Sequence, residues 1–449
     1  MSWDKVKLSK VLKQYRVTHI VQNDRDYKQV TISKHDGVKF RGIKNGKEIG
    51  RKRQFIIDLK NYPNTLMLVR QGVYDGAIGI APIEVDGCIA TENMPMFSIE
   101  GINIDYLNLI LQSPYFKEEL EKIPTTGSAQ KSIHERQILE IEIPFPSAEI
   151  QDLVVKSFKK NRTGINEIST ELTHQLDLVK QLRQSFLREA MQGQLVPQDP
   201  KDEPASVLLE KIKAEKERLI KEKKLKKQKP LSPITEDEIP FDIPENWVWC
   251  RLGEACLKIT DGTHHSPTNT PKGDFMYVTA KNIKDEGVDL SNITYVTKDV
   301  HHEIYSRCDP EFGDILYIKD GATTGIVTVN DLDDPFSLLS SVALLKLDDN
   351  VYNRFLMYVM RSPVYYDATR NNMYGVALTR VTLAKINNSI IPLPPLSEQQ
   401  RIVRHLDELM QYCDELEISI KESQQQNELL LQQVLREALE PKEKEVEKV

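Results

Sequence analysis

The sequence predicts an α+β protein: two similar mixed α/β domains, separated and joined by two long helices packed as an antiparallel coiled coil, with a pseudo-twofold internal repeat. Three observations predict it. A narrow apolar seam with alternating three- and four-residue steps runs through Phe158, Asn161, Ile165, Ile168, Leu172, Gln175, Val179, Leu182 and Phe186. It returns 248 residues later as Leu406, Leu409, Cys413, Leu416, Ile420, Ser423, Asn427, Leu430 and Val434, a spacing that lays one stripe along a helix. Each seam follows a globular stretch of similar length, and the signals of the first stretch recur in order in the second. One such helix would be an ordinary buried element or a homodimer zipper; two in one chain are expected to pair with each other. Their polar breaks differ, Asn161 and Gln175 against Ser423 and Asn427, as suits a pair that meets in one register.

The first domain is read as residues 1–146. Residues 28–32, 55–59 and 65–70 are short β-rich runs, and the last enters a tight turn at Gly72-Val-Tyr-Asp-Gly76. Residues 104–120 have helical spacing interrupted at Ser113-Pro114. Ser147 is a candidate N-cap and Gly193 a candidate C-cap for the first long helix, residues 147–193. A connector, 194–244, begins rich in Pro and Asp, forms a short amphipathic helix from Ala205, and turns basic: residues 211–229 hold ten Lys and Arg against three Glu. Such a run is ordinarily a solvated face; contact with phosphates or a partner is the alternative. The second domain is 245–396, the second helix 397–440, and 441–449 a charged tail.

The repeat is visible residue by residue. Trp247, Arg251 and Leu252 answer Trp3, Lys7 and Leu8 at an offset of 244, and Val278-Thr279 answers Val30-Thr31 at 248. Ile315, Ile318, Lys319, Gly321 and Gly325 answer Leu66, Val69, Arg70, Gly72 and Gly76 at 249, as Ser362-Pro363 answers Ser113-Pro114. Gly375, Ile391, Pro392 and Pro394 answer Gly127, Ile143, Pro144 and Pro146 at 248. Drift of a few residues means small loop insertions on one scaffold. A helix of roughly 45 residues is about 65–70 Å long, some two turns of duplex DNA, which is a ruler's geometry.

At 449 residues, 40% apolar and 28% charged, the chain has the composition of a soluble multidomain protein. It lacks both an apolar run of about 20 residues and a signal-peptide core, so a cytoplasmic location is expected. Its five cysteines form no C-x-x-C pair and are expected to be reduced and mostly buried. The net charge of −7 hides a gradient: residues 1–70 carry 17 basic and 6 acidic residues, whereas 247–395 carry 14 and 18. The basic stretch suits a phosphate backbone, or is simply a solvated face.

The stretch Leu393-Pro-Pro-Leu-Ser-Glu-Gln-Gln-Arg-Ile-Val403 brings a strand, through prolines, to a helix whose start is read at Ser397, with Gln400 completing a capping box. It resembles the junction typical of specificity subunits of Type I restriction-modification systems. Ile259-Thr-Asp-Gly-Thr-His-His-Ser-Pro267, Gly313-Asp-Ile-Leu-Tyr-Ile-Lys-Asp-Gly321, Ala190-Met-Gln-Gly-Gln-Leu-Val-Pro197, Leu208-Leu-Glu-Lys-Ile-Lys-Ala-Glu-Lys216 and Ile243-Pro-Glu-Asn-Trp247 are similar to further recurrent stretches of that family. The resemblance covers nearly the whole chain and is weakest over residues 1–62, where the Asp-Gly-Thr-His motif has no counterpart.

The resemblance implies a non-catalytic reader of double-stranded DNA. Two target-recognition domains would each read half of a split site, and the helices would set the spacer. Two methyltransferase subunits would bind along the helices, and a restriction motor-nuclease subunit would join them. No cofactor is expected on this chain: S-adenosylmethionine belongs to the methyltransferase partners, ATP and Mg to the motor-nuclease. A methylation-only or Type IIB-like system is the neighbouring alternative, and a protein scaffold that binds no DNA the alternative of another class.

The residues themselves carry little catalytic signal. The nearest approach to a methyltransferase tetrad, Asp333-Asp-Pro-Phe336, lacks the second proline, and neither Gly-x-x-x-Gly turn continues into Gly-Lys-Ser/Thr. His264-His265 and His301-His302, read as strand neighbours on opposite faces, suit surface or DNA contacts better than a metal. Candidate DNA contacts, chosen as Arg, Lys, Asn, Gln, His, Ser, Thr or Tyr in polar loops, are Lys34, His35, Arg41, Lys44, Arg51, Arg53, Arg70, Tyr74, Gln130 and Lys131 in the first domain. In the second they are Thr263, His264, His265, Lys281, Asn282, Lys319, Thr323, Thr324, Thr379 and Arg380. The candidate helix and partner interface is Phe158, Ile165, Ile168, Leu172, Leu176, Val179, Leu182 and Phe186 with Leu406, Leu409, Cys413, Leu416, Ile420, Leu430 and Val434. Leu153, Leu187, Val403, Leu429 and Leu435 widen the stripe, toward partners or toward the helices' own domains.

Overall fold

The computed structural model describes residues 3–34, 36–123, 132–370 and 380–439, the side chains of residues 368 and 370 apart. The chain folds as two compact units, one of residues up to 174 with those from 420 onward, the other of residues 175–419. In the first unit, β1 (Lys5–Lys7) pairs antiparallel with β11 (Glu142–Pro144), Val6 opposite Ile143. A four-stranded antiparallel sheet runs in the order β2 (Leu12–Tyr15), β10 (Met96–Ile99), β7 (Thr65–Leu68), β8 (Ile78–Ile80). Every residue of β7 is buried, which is why this strand reads as a continuous Thr-Leu-Met-Leu run without polar alternation. A five-stranded sheet follows the order β3 (Thr18–Ile20), β6 (Arg53–Ile56), β9 (Ile89–Ala90), β4 (Asp26–Ser33), β5 (Gly37–Asn45).

Helices α1 (Ile104–Gln112) and α2 (Pro114–Glu121) bury Tyr106, Leu107, Ile110 and Phe116 in one core with Leu66, Leu68 and Phe97. The break between them is chemical. The Ser113 hydroxyl donates to the Ile110 carbonyl and accepts from the Phe116 amide, and Pro114 sits in the first turn, where its missing N–H costs nothing. The short helix α3 (Glu135–Leu139) precedes β11.

The second unit repeats this plan. β12 (Val248–Arg251) pairs with β22 (Ile390–Leu393), and a four-stranded sheet runs β13 (Lys258–Asp261), β21 (Val342–Lys346), β18 (Ile315–Ile318), β19 (Val327–Val329). Around it lie α6 (Leu252–Ala255), α7 (Lys298–Tyr305), α8 (Asn353–Arg361), α9 (Pro363–Arg370) and α10 (Leu383–Asn388). Ser362 makes the same two hydrogen bonds between α8 and α9 as Ser113 makes in the first unit. The outer sheets keep one shared feature, a parallel pairing: Gln29 opposite Ile89 in the first unit, and Tyr277 opposite Ser337 between β14 (Phe275–Val278) and β20 (Ser337–Leu338) in the second. Beyond that they part. The second unit adds only β17 (Thr294–Val296) and a small hairpin of β15 (Ile283–Lys284) and β16 (Gly287–Val288) among its described residues. The connector helix α5 (Ala205–Lys221) buries Ala205, Leu208 and Ile212, and Ala205 and Ile212 join the core of this unit.

The two long helices are α4 (Ala148–Met191) and α11 (Leu396–Leu439). The early part of α4 lies against the late part of α11 in the first unit, where Val155, Phe158, Leu435 and Leu439 share a core and the Asn427 amide donates to the Ile165 carbonyl at 3.0 Å. In the second unit the late part of α4 meets the early part of α11, and the Arg183 guanidinium reaches Asp414 at 2.6 Å and Glu417 at 3.1 Å. The helices therefore run antiparallel. Gly193, at φ +68°, ends α4 with the Gln194 amide bonded back to Glu189.

Two sequence expectations need correction here. The Ser397/Gln400 capping box does not form, because α11 already begins at Leu396, the Ser397 hydroxyl donates to Asp202, and the inward-facing residue is Gln399. The seam, moreover, buries one of its two rows. Phe158, Ile165, Leu172 and Val179, with Leu406, Cys413, Ile420 and Asn427, are buried, and Phe186 and Val434 half-buried. In the other row Leu409 is half-buried, whereas Ile168, Leu182, Leu416 and Leu430 are 38–48% exposed. Two helices supply one facing surface each, so the second row turns half outward. Leu176 is half-buried. Of the widening residues, Leu187 and Val403 join the core of the second unit and Leu435 that of the first, while Leu153 and Leu429 stay exposed.

Each helix is joined to its domain by a buried glutamine. Gln151 donates to the Pro146 carbonyl and accepts from the Asn103 amide, both at 2.9 Å. Gln399 donates to the Pro394 carbonyl at 2.9 Å and accepts from the Tyr352 amide at 2.8 Å. Replacing Gln399 with Leu strands two buried backbone groups, so it is expected to destabilise the protein by about 2–4 kcal/mol, measured as a fall in the denaturant midpoint.

Candidate DNA-reading faces

In the first unit the candidates gather on the β4–β5 hairpin and the turn after β7. Lys34 sits at the hairpin tip against Gly76, whose φ is +85° and whose missing Cβ would lie 3.2 Å from Lys34 Cγ. Arg41 and Lys44 are exposed on β5, and Arg51 and Arg53 are exposed at the entry to β6, with Arg51 3.5 Å from Glu92. Tyr74 is half-buried against the core of this unit, so its ring serves packing.

Arg70 is not a free phosphate ligand. It continues β7 toward Glu135 at the start of α3, and the guanidinium and carboxylate pair while mostly out of solvent. Arg16 at 3.3 Å and Gln14 at 3.2 Å complete the surroundings of Glu135. Burial opposes ionisation of Glu135, but the hydrogen bond and charge of Arg70, with hydrogen bonds from the backbone and Gln14, together hold the carboxyl below its ordinary value. His35, Gln130 and Lys131 lie outside the described residues.

In the second unit the Asp-Gly-Thr-His-His loop leaves the end of β13. Asp261 is 2% exposed and collects three cationic or polar groups: Lys319 at 3.4 Å, His264 at 3.4 Å, and Arg307, which also lies 3.0 Å from the His264 ring. Gly262 is required here, since a Cβ would sit 1.8 Å from the Leu338 carbonyl oxygen. The Thr263 hydroxyl donates to the His265 carbonyl at 3.0 Å, which fixes the loop. His264 and Arg307 remain about half exposed. Lys281 and Thr323 are exposed in neighbouring turns, and Arg380 is exposed beside Asp320, 3.2 Å away.

Three candidates in this unit are buried and serve the fold. Lys319 is 1% exposed, its ammonium held by Asp320 at 2.9 Å and by Asp261. Asn282 accepts from the Thr279 amide and donates to the Asp289 carbonyl, bracing a turn. The Thr324 hydroxyl donates to Gly321 within the glycine turn. Thr379 lies outside the described residues. His301 is also buried, and it sits on helix α7 rather than a strand, its ring stacked 3.9 Å from Phe275 and bonded to Ser337. Among the described residues no cluster of three or more His, Cys, Asp or Glu could hold a metal ion. Nor is any helix among them long and apolar enough to cross a membrane. All five cysteines are buried and unbridged.

Arg70 and Lys319 thus occupy equivalent strand ends, and each is turned inward onto a carboxylate. Sequence reasoning missed the carboxylates and Arg307, which no motif marks; the Asp of Asp-Gly-Thr-His is the one available hint of a cationic partner. What the first unit leaves outward is a cationic surface on a sheet edge, and the second a polar loop surface with a few cations, His264, Lys281, Arg307 and Arg380, among carboxylates.

Residues 244–426 match the family model described as the Type I restriction modification DNA specificity domain. The chain is 30% identical over 374 residues to the Type I restriction enzyme EcoAI specificity subunit of Escherichia coli, covering 72% of this chain and 62% of that protein. It is 25% identical over 429 residues to the EcoEI specificity subunit of the same organism, covering 84% and 70%. A solved chain from a study of complex assembly and conformational transition of the type I R-M system shares the fold, with a TM-score of 0.59 at 19% identity over 98% of each chain.

Asp261→Ala leaves Lys319 buried with one partner and is expected to cost about 3–5 kcal/mol in a urea unfolding titration. Arg307→Ala removes the half-exposed partner but leaves the buried Asp261 its contact with Lys319, and is expected to cost less than Asp261→Ala, about 1–3 kcal/mol in the same measurement.

Proposed function

The chain is a relative of the specificity subunits of Type I restriction enzymes, with their DNA specificity domain at residues 244–426, and from that premise we propose that it is the DNA-recognition subunit of a Type I restriction-modification complex. Each domain reads one half of a bipartite site, and α4 and α11 set the spacer between the halves. The observation that carries this reading is the duplication itself: the same four-strand order, the same Ser-Pro helix break and the same buried-glutamine junction, twice in one chain. A doubled reading head suits a doubled target. Exposed cations on sheet edges suit phosphates and guanine edges. The chain's own role is recognition, not catalysis, and it binds no cofactor. S-adenosylmethionine acts in the methyltransferase partners, and ATP with Mg in a motor-nuclease partner.

The half-exposed seam row supports partner docking. It presents Ile168 and Leu430 in the first unit and, at offsets of 248, Leu416 and Leu182 in the second. One equivalent apolar patch per half favours two copies of one methyltransferase subunit.

Methylome sequencing of cells with and without this chain should show loss of one split adenine-methylated motif. On a duplex carrying that motif, affinity of the assembled complex should fall linearly in log salt, with a slope of about 0.9 per phosphate neutralised. A flat salt response with partners bound would favour the protein-scaffold reading. Leu416→Asp, at an exposed position, should leave folding within about 0.5 kcal/mol and remove one methyltransferase copy by native mass spectrometry; full occupancy would exclude this docking surface.

A further inference from the structure

We propose that the outer strand of the first unit's five-stranded sheet, β5, is a groove-reading ribbon, with Arg41 contacting a base edge and Phe40 and Ile43 contacting thymine methyl groups. The assignment rests on the DNA-recognition reading and specifies where that recognition occurs in the first half. β5 is an edge strand, paired only with β4 within its sheet. Val38 lies opposite Ile32, Phe40 opposite Val30, and Ile43 opposite Lys28, so these residues share one sheet face. At the hairpin end that face is core: Val30, Ile32 and Val38 are buried. Further along the same face the cover thins among the described residues, and Phe40 is 42% and Ile43 66% exposed.

Between them the register shifts. Gln29 faces Gly42 while Val30 faces Phe40, which leaves Arg41 as the extra residue of a β-bulge. A bulge bends the strand and re-aims the side chain it inserts. Gly42, at φ +139°, supplies the backbone freedom for the step. Lys28, opposite Ile43, stands exposed on the same face as the apolar pair, while Lys39 and Lys44, opposite Thr31 and Tyr27, are exposed on the other face of the ribbon. Residues 25–53 together hold ten Lys and Arg against three Asp and Glu.

Exposed apolar residues on an edge strand invite pairing with another chain, and charge is the usual guard against it. Here the guard is of one sign. A protein partner would have to be strongly acidic, whereas duplex DNA meets the same surface with phosphates on the outside and methyl groups and guanine acceptors inside a major groove that admits a two-stranded ribbon. Among the described residues of the second unit no long hairpin corresponds to this ribbon, whose place is taken by the short strands β15, β16 and β17.

The test uses the full chain co-expressed with its methyltransferase partners, with the methylated motif read from host chromosomal DNA. Arg41→Gln is expected to relax one base pair in one half of the motif and leave the other half unchanged. The unchanged half reports that the variant is folded and assembled. Phe40→Ser with Ile43→Ser is expected to weaken binding of a duplex carrying the parental motif about tenfold with the same salt slope. An unchanged motif for the first variant, together with unchanged affinity for the second, would overturn the assignment. Absence of any split motif with the parental chain would overturn the DNA-reading role and this assignment with it.

Discussion

In each unit the long helix is tied to the domain before it by a side-chain amide at the helix foot. A helix that begins just after a proline-containing strand has unpaired amides at its start, and the chain before it has carbonyls that no sheet partner reaches. Gln151 and Gln399 address the second problem, spanning from the first helical turn to the carbonyl of the preceding proline and to the amide that opens α1 or α8. Both are buried. A carboxylate of the same length could accept from the amide but not donate to the carbonyl, and its charge would have to be buried. The helix direction is thereby fixed by the sheet and helix that precede it, twice, with the same chemistry.

Periodicity makes the helices legible, since seam spacing is a local property of the sequence and burial enforces it. The duplication is legible for a similar reason: Ser113 and Ser362, or Gly76 and Gly325, perform local backbone work that allows few substitutes. What the sequence does not disclose depends on pairing across long separations. Arg70 and Lys319 look like ideal phosphate ligands until Glu135, 65 residues away, and Asp261 are brought beside them. Seam spacing likewise names two rows without saying which one faces the other helix. His301 reads as a strand residue because an isolated His-His pair carries no period at all; its place on α7 comes from the surrounding residues.

The two heads share a frame and differ at the periphery. The four-stranded sheet, the first-to-last strand pairing and the Ser-Pro break are common, while the outer sheets diverge in strand number and charge. This is the distribution expected when one part of a domain must keep its shape for assembly and another must vary with its ligand. It also distributes charge unevenly. The first head carries the excess positive charge, and the second gathers a few cations around Asp261, with Arg307 held outward by a carboxylate that is itself shut away from water.

The pairing of β1 with β11, and of β12 with β22, has a wider consequence. Because the opening strand of each head lies beside its closing strand, and the closing strand leads straight into a long helix, the chain enters and leaves each head at one place. Such a head is a cassette. Loops and outer strands at its far side can change without altering the paired strands or the glutamine contacts that hold the helix. Change at the periphery is thereby kept apart from the strand pair that leads into the helix.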